Sequence, residues 1–249
     1  MSGWLFYFKN MIKLDILALA AHPDDVELSC AGTLIKAVQQ GKKAGIVDFT
    51  KGELGTRGTP EIRMQEAKAA GEIMGISARE NLGFRDGFFK NDEAHQLEVV
   101  KAIRKYQPEI VLANAIDDRH PDHGRASFLS KEACFLAGLA MIKTEVDGVE
   151  QTPWRPKAVY HYIQSIPHTP DFIVDVSSAW ETKMKAIRAF KTQFHDPNSD
   201  EPETYISSPR FMKMIDSRGI HYGHEIGVEY GEGFTVERTV GTNSVFDLI

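Results

Sequence analysis

Two copies of the tripeptide His-Pro-Asp stand out: His22-Pro23-Asp24-Asp25 and His120-Pro121-Asp122-His123. Each follows a short apolar run, Leu14–Ala21 in the first case and Ile110–Ala113 in the second. Helix capping accounts for part of this pattern. Proline suits the first helical position and acidic side chains in the first turn oppose the helix dipole. Capping does not call for His22, His120 or His123. His120 and His123, three apart, can share one face of a helical turn. A catalytic zinc site takes three nitrogen or oxygen ligands and keeps a position for water. His22, Asp25 and His123 supply two imidazoles and a carboxylate. Asp24 and His120 then remain beside the metal as acid–base groups.

Positioning these residues requires strand ends that meet. Ala44–Phe49 and Glu80–Gly83 read as further strands. Leu28–Gln40, Glu61–Met74, Ala94–Tyr106 and Gly124–Lys143 read as helices. Short apolar strands alternating with helices predict a Rossmann-like, doubly wound, mostly parallel α/β sheet with helices on both faces. In such sheets ligands sit at the carboxyl ends of the strands, beside the topological switch point. A crossover after the third strand makes strands one and four neighbours and brings the two His-Pro-Asp segments to one crevice. Later, Ala158–Ile163 and Phe172–Val176 read as strands and Ala179–Phe190 as a helix. Residues 192–230 are polar and rich in Pro, Gly, Ser and His, with one helix near Pro209–Arg218. A tract of this kind points to a substrate-site or oligomer-contact region. The whole chain reads as one domain.

The 249 residues, 42% hydrophobic and 26% charged, are ordinary for a globular protein. A net charge of −6 without a basic block disfavours nucleic acid as a partner. Cys30 and Cys134 make no disulfide framework and fit a reducing cytoplasm. No run reaches the ~20 apolar residues of a membrane span. Trp4-Leu5-Phe6-Tyr7-Phe8 is too short and is followed by Lys9, Asn10 and Lys13. Residues 1–10 read as an extension, either non-native or packed on a neighbouring subunit.

The segments Ala21-His22-Pro23-Asp24-Asp25-Val26-Glu27 and Asp118-Arg119-His120-Pro121-Asp122-His123 resemble the zinc-dependent de-N-acetylases of the LmbE-like, or N-acetylglucosaminyl-phosphatidylinositol de-N-acetylase, superfamily. The run from Gly52 to Arg63 and the stretch Gln193–Asn198 are most similar to its bacillithiol-biosynthesis branch, which removes acetate from N-acetylglucosaminyl malate. The resemblance implies that His22, Asp25 and His123 hold the metal, that Asp24 is the general base, and that His120 stabilises charge or passes a proton. It also implies that Arg63 and Arg119 contact substrate and that Asp86 holds sugar hydroxyls. Glu53 and Arg57, in the Gly-rich loop, and Tyr205, as an oxyanion donor, complete the expected substrate site. A homo-oligomer, such as a hexamer, follows from the same resemblance.

The chemistry expected is amide hydrolysis with one Zn²⁺ per chain, for which Fe²⁺, Co²⁺ or Mn²⁺ can substitute at a His/Asp site. Arginines at the cleft would favour an anionic aglycone such as malate. The alternatives are a deacetylase of another amino sugar, a thiol-conjugate amidase, a zinc phosphohydrolase, or a non-catalytic nucleotide-binding module. The last lacks its Gly-x-Gly-x-x-Gly cue after the first strand. A phosphohydrolase lacks the extra carboxylates of a two-metal site.

Overall fold

The computed structural model describes residues 12–195 and 200–249. The expected extension at residues 1–10 therefore lies outside the described residues, as do Asp196, Pro197 and Asn198. The chain opens β1 (Ile16–Ala20), α1 (Asp25–Ser29), α2 (Ala31–Gln39), β2 (Ala44–Thr50), α3 (Pro60–Met74), β3 (Ala78–Phe84), α4 (Glu93–Tyr106), β4 (Ile110–Ala113) and α5 (Pro121–Ala137). A small hairpin follows, β5 (Glu145–Val146) and β6 (Val149–Glu150). Then come β7 (Ala158–Tyr162), β8 (Phe172–Asp175), α6 (Trp180–Arg188), α7 (Pro209–Glu225) and β9 (Gly231–Val236). Seven strands form one sheet in the order β3-β2-β1-β4-β7-β9-β8. Only β9 runs against its neighbours. The sheet is thus mostly parallel, as expected, and β1 pairs with β4 in register Ile16 with Ile110.

All five residues of β1 are buried, because helices cover both faces of the sheet. Alternate side chains feed two cores. Ile16, Ala18 and Ala20 pack with α2, α3, α6 and α7, while Leu17 and Leu19 pack with α4 and α5. Local signals set the helix starts. Thr59 accepts a hydrogen bond from Ile62 N at 3.3 Å with Pro60 at the first turn, and Asp92 accepts from His95 N at 3.1 Å.

Several elements depart from the sequence pattern. The helix expected over Leu28–Gln40 is two helices meeting at Cys30, and the first starts earlier, at Asp25. The helix expected to run to Lys143 ends at Ala137. Buried Arg104 takes the carbonyls of Ala137, Leu139 and Ile142, and Trp154 N donates to Ala137 O, so the chain turns away where periodicity alone would extend it. The C-terminal helix runs beyond Arg218 to Glu225, and β9 follows it unforeseen. Glu232 on β9 explains its place. Its carboxylate accepts from Gly32 N (2.9 Å) and Thr33 N (2.7 Å), capping α2, and pairs with buried Lys183 at 2.6 Å.

Candidate active site

The loops after β1, β2, β3, β4 and β7 converge at the carboxyl edge of the sheet, and α7 closes one side. They enclose a cleft of about 340 Å³. His22, Asp24, Asp25, His120 and His123 lie together on its floor. The ring centroids of His22 and His120 are 4.7 Å apart, those of His120 and His123 5.0 Å, and those of His22 and His123 5.6 Å. Ligand-capable atoms of these three histidines lie within 4.8 Å of one another. Asp25 adjoins two of them, Oδ1 at 3.0 Å from His123 Nε2 and Oδ2 at 3.6 Å from His22 Nδ1.

Each imidazole is anchored through one nitrogen and presents the other. His22 Nε2 is 2.9 Å from Asp86 Oδ1, and His123 Nδ1 is 2.6 Å from Asp118 Oδ2. His120 Nδ1 accepts from Asp122 N at 3.3 Å and so caps α5. Carboxylates behind ligating histidines orient the ring and raise its basicity. Burial alone would depress the histidine pKa values. For His22 the carboxylates of Asp122, Asp25 and Asp86 outweigh it and raise the pKa well above its ordinary value. For His123, Asp25 and Asp118 outweigh burial and raise it to about 9. A metal held by these imidazoles would have to displace their protons. The clustered donors fit a metal: His22, His120 and His123 offer ligand atoms within 4.8 Å of one another, and Asp25 adjoins two of them. His120 differs: burial, with His22 and His123 nearby, lowers its pKa.

Asp24 has a distinctive setting. Its backbone lies at φ 116°, ψ −23°, a region that costs a non-glycine residue about 1–3 kcal/mol. Arg63 holds it there. Nε and Nη2 both donate to Pro23 O, at 3.1 and 2.9 Å, and Nη2 also donates to Asp24 Oδ2 at 2.8 Å. Gly52, at φ 64°, leaves the space that this guanidinium occupies; a side chain there would overlap it. Oδ1 of Asp24 has no hydrogen-bond partner among the described residues. Burial raises the Asp24 pKa to about 6 despite the charge of Arg63.

The substrate residues expected from sequence divide. Arg63 is buried and clamps Asp24, and it also lines the cleft. Asp86 is engaged by His22 through Oδ1 and by Leu54 N through Oδ2, and it also lines the cleft. Glu53 accepts from Asp86 N at 2.8 Å and braces that loop. Arg57 lines the cleft and pairs with Glu201 at 3.3 Å. Arg119 lies over the ring of half-exposed Tyr205 at 4.0 Å, and both border the opening. His195, His221 and His224 are exposed, and Cys30 is buried under the helix junction. Sequence reasoning missed Asn114, Asp118, Asp122, Gln164 and Arg218. Gln164 was within reach, since it follows the predicted strand at Ala158–Ile163 on the ligand-binding edge of the sheet.

Arg63→Met therefore has a diagnostic outcome. Losing a charge-assisted hydrogen bond costs about 1.5–3 kcal/mol. A clamp predicts that the loss falls on kcat, by about 10–100-fold, with KM little changed. Steady-state kinetics separate this from a substrate contact, which would raise KM instead.

A profile of the GlcNAc-PI de-N-acetylase family (PIG-L) matches residues 17–134, a span that holds both His-Pro-Asp segments. Diacetylchitobiose deacetylase of Thermococcus kodakarensis is 30% identical over 231 residues, covering 88% of this chain and 81% of its own. A probable N-acetyl-alpha-D-glucosaminyl L-malate deacetylase 2 of Bacillus cereus is 25% identical, covering 72% of this chain and 83% of its own. Among solved structures, the conserved protein TT1542 from Thermus thermophilus superposes with TM-score 0.83 at 34% identity, covering 93% of this chain and 98% of that one.

Proposed function

The chain belongs to the GlcNAc-PI de-N-acetylase (PIG-L, LmbE-like) family, and on that premise we propose that it is a zinc-dependent hydrolase that removes the acetyl group from a small N-acetylated amino sugar. The observation that carries this reading is the juxtaposition on the cleft floor. A buried carboxyl, Asp24, keeps one oxygen open beside three histidines that each present a ring nitrogen.

Zinc held by His22, Asp25 and His123 would supply polarisation of the attacking water and of the amide carbonyl. Asp24 takes the water's proton on Oδ1, since Oδ2 is held by Arg63. His120 accepts a hydrogen bond at Nδ1, which places its proton on Nε2. Burial, with His22 and His123 nearby, lowers its pKa, and it would donate that N–H to the developing oxyanion. Tyr205, which lines the cleft, would add a second donor at the opening. Asp24, now protonated, returns the proton to the leaving amine.

The aglycone divides the family. Malate was the narrower expectation, resting on Arg57, Arg63 and Arg119. Arg63 is committed to Asp24 and Arg57 pairs with Glu201, so Arg119 is the guanidinium best placed for a carboxylate at the rim. The relatives are named as a diacetylchitobiose deacetylase and a probable N-acetyl-alpha-D-glucosaminyl L-malate deacetylase. Acetate release from N-acetylglucosaminyl malate, N,N′-diacetylchitobiose and free N-acetylglucosamine is the test. Malate selectivity carried by one charge-assisted contact should appear as about 10–100-fold in kcat/KM over the uncharged sugar. Equal efficiencies would retire malate in favour of a neutral amino sugar, and no acetate from any of the three would remove the deacetylase reading.

A further inference from the structure

Asp25 is gripped by two buried side-chain amides that come from different strand ends. Asn114, just past β4, donates from Nδ2 to Asp25 Oδ2 at 3.0 Å. Gln164, just past β7, donates from Nε2 to Asp25 Oδ1 at 3.1 Å. Backbone donors fix both amide orientations, because a backbone N–H cannot accept. Asn114 Oδ1 accepts from Ala21 N at 2.9 Å, and Gln164 Oε1 accepts from Ala115 N at 3.1 Å. Their NH₂ groups must therefore face Asp25. The two amides also lock to each other, Asn114 Nδ2 to Gln164 Oε1 at 3.0 Å. Asn114 and Asp25 are almost wholly buried, as is Gln164 at 6% exposure.

Lone pairs decide what this grip does. Each carboxylate oxygen offers two. Oδ2 accepts from Asn114 Nδ2 and from His22 N at 3.0 Å, and is thereby saturated. Oδ1 accepts from the Gln164 amide, and its remaining side meets His123 Nε2 at 3.0 Å. We infer that Asn114 and Gln164 are positioning residues that leave Asp25 a single metal-facing oxygen, Oδ1, and so set the affinity and coordination number of the ion it holds. One-oxygen binding with two imidazoles keeps the coordination number low and a position open for water. A carboxylate free to use both oxygens suits larger, oxygen-loving ions. This rests on the metal reading above.

The test compares wild-type protein with Gln164→Met and Asn114→Ala, each stripped of metal and titrated with Zn²⁺ against a chromophoric chelator. Loss of a partner that orients a metal ligand typically weakens binding about 10–100-fold, and that is the fall expected in both variants. Cobalt(II) supplies a second readout. Asn114→Ala frees Oδ2, so the intense visible bands of four-coordinate Co²⁺ should weaken as the carboxylate takes up both positions. A purely structural role would lower the thermal midpoint of metal-free protein and leave the Zn²⁺ dissociation constant and the Co²⁺ spectrum unchanged; that result overturns the inference. Gln164→Met alone decides the affinity question if Asn114→Ala does not fold. A wild-type protein that binds no divalent ion would instead remove the metal reading itself.

Discussion

Asp24→Asn is expected to keep its metal and lose about 10²–10⁴-fold in turnover, the usual contribution of a general base. The substitution is nearly isosteric. The amide oxygen still accepts from Arg63 Nη2, so the bond now 2.8 Å long survives. Asparagine also tolerates positive φ better than most residues, which matters at φ 116°. What disappears is the capacity to take a proton at the open oxygen. Asp25, one residue on, is engaged by His123, Asn114 and Gln164, so it does not substitute. Elemental analysis and acetate-release rates on the same preparation check both halves. Normal metal content with near-normal turnover would remove Asp24 from the chemistry, and loss of metal would make it a ligand.

Asp24 and Arg63 also show which part of this site can be read from sequence. The His-Pro-Asp segments are local: histidine, proline and acid sit within four residues, directly after a buried strand. Their meeting follows from the parallel β1–β4 pairing, which a crossover after the third strand dictates. Arg63 lies 39 residues from Asp24, and its pairing depends on how α3 packs under the Gly52 turn. No spacing rule encodes that. Asn114 and Gln164 are harder still. Each is a lone amide after an apolar strand, and its partner is 89 or 139 residues away. The end of α5 has the same origin. The run after Gly138 is apolar enough to continue a helix, but Arg104, fixed on α4, captures the carbonyls there. Local pattern located the candidate acid–base and metal-ligating groups; the groups that hold them in place come from long-range contacts.

His123→Ala should leave folded protein with little bound zinc and no measurable deacetylation, whereas His120→Ala should retain zinc and lose only turnover. The two histidines are close neighbours on one helical turn, and both present a nitrogen within 4.8 Å of His22. Their second nitrogens separate them. His123 Nδ1 rests on the buried carboxylate of Asp118 at 2.6 Å, the arrangement that raises imidazole basicity toward a metal. His120 Nδ1 meets only the backbone N–H of Asp122 at 3.3 Å, and its pKa is lowered by burial and by the other two histidines. Alanine at 123 also strips a partner from both Asp25 and Asp118, and breaking a buried ion pair costs about 3–5 kcal/mol. Metal content must therefore be expressed per folded molecule, with near-ultraviolet circular dichroism establishing that fraction. Zinc retained by folded His123→Ala and lost from His120→Ala would exchange the two roles, making the ligand set His22, Asp25 and His120 and leaving His123 as the proton donor.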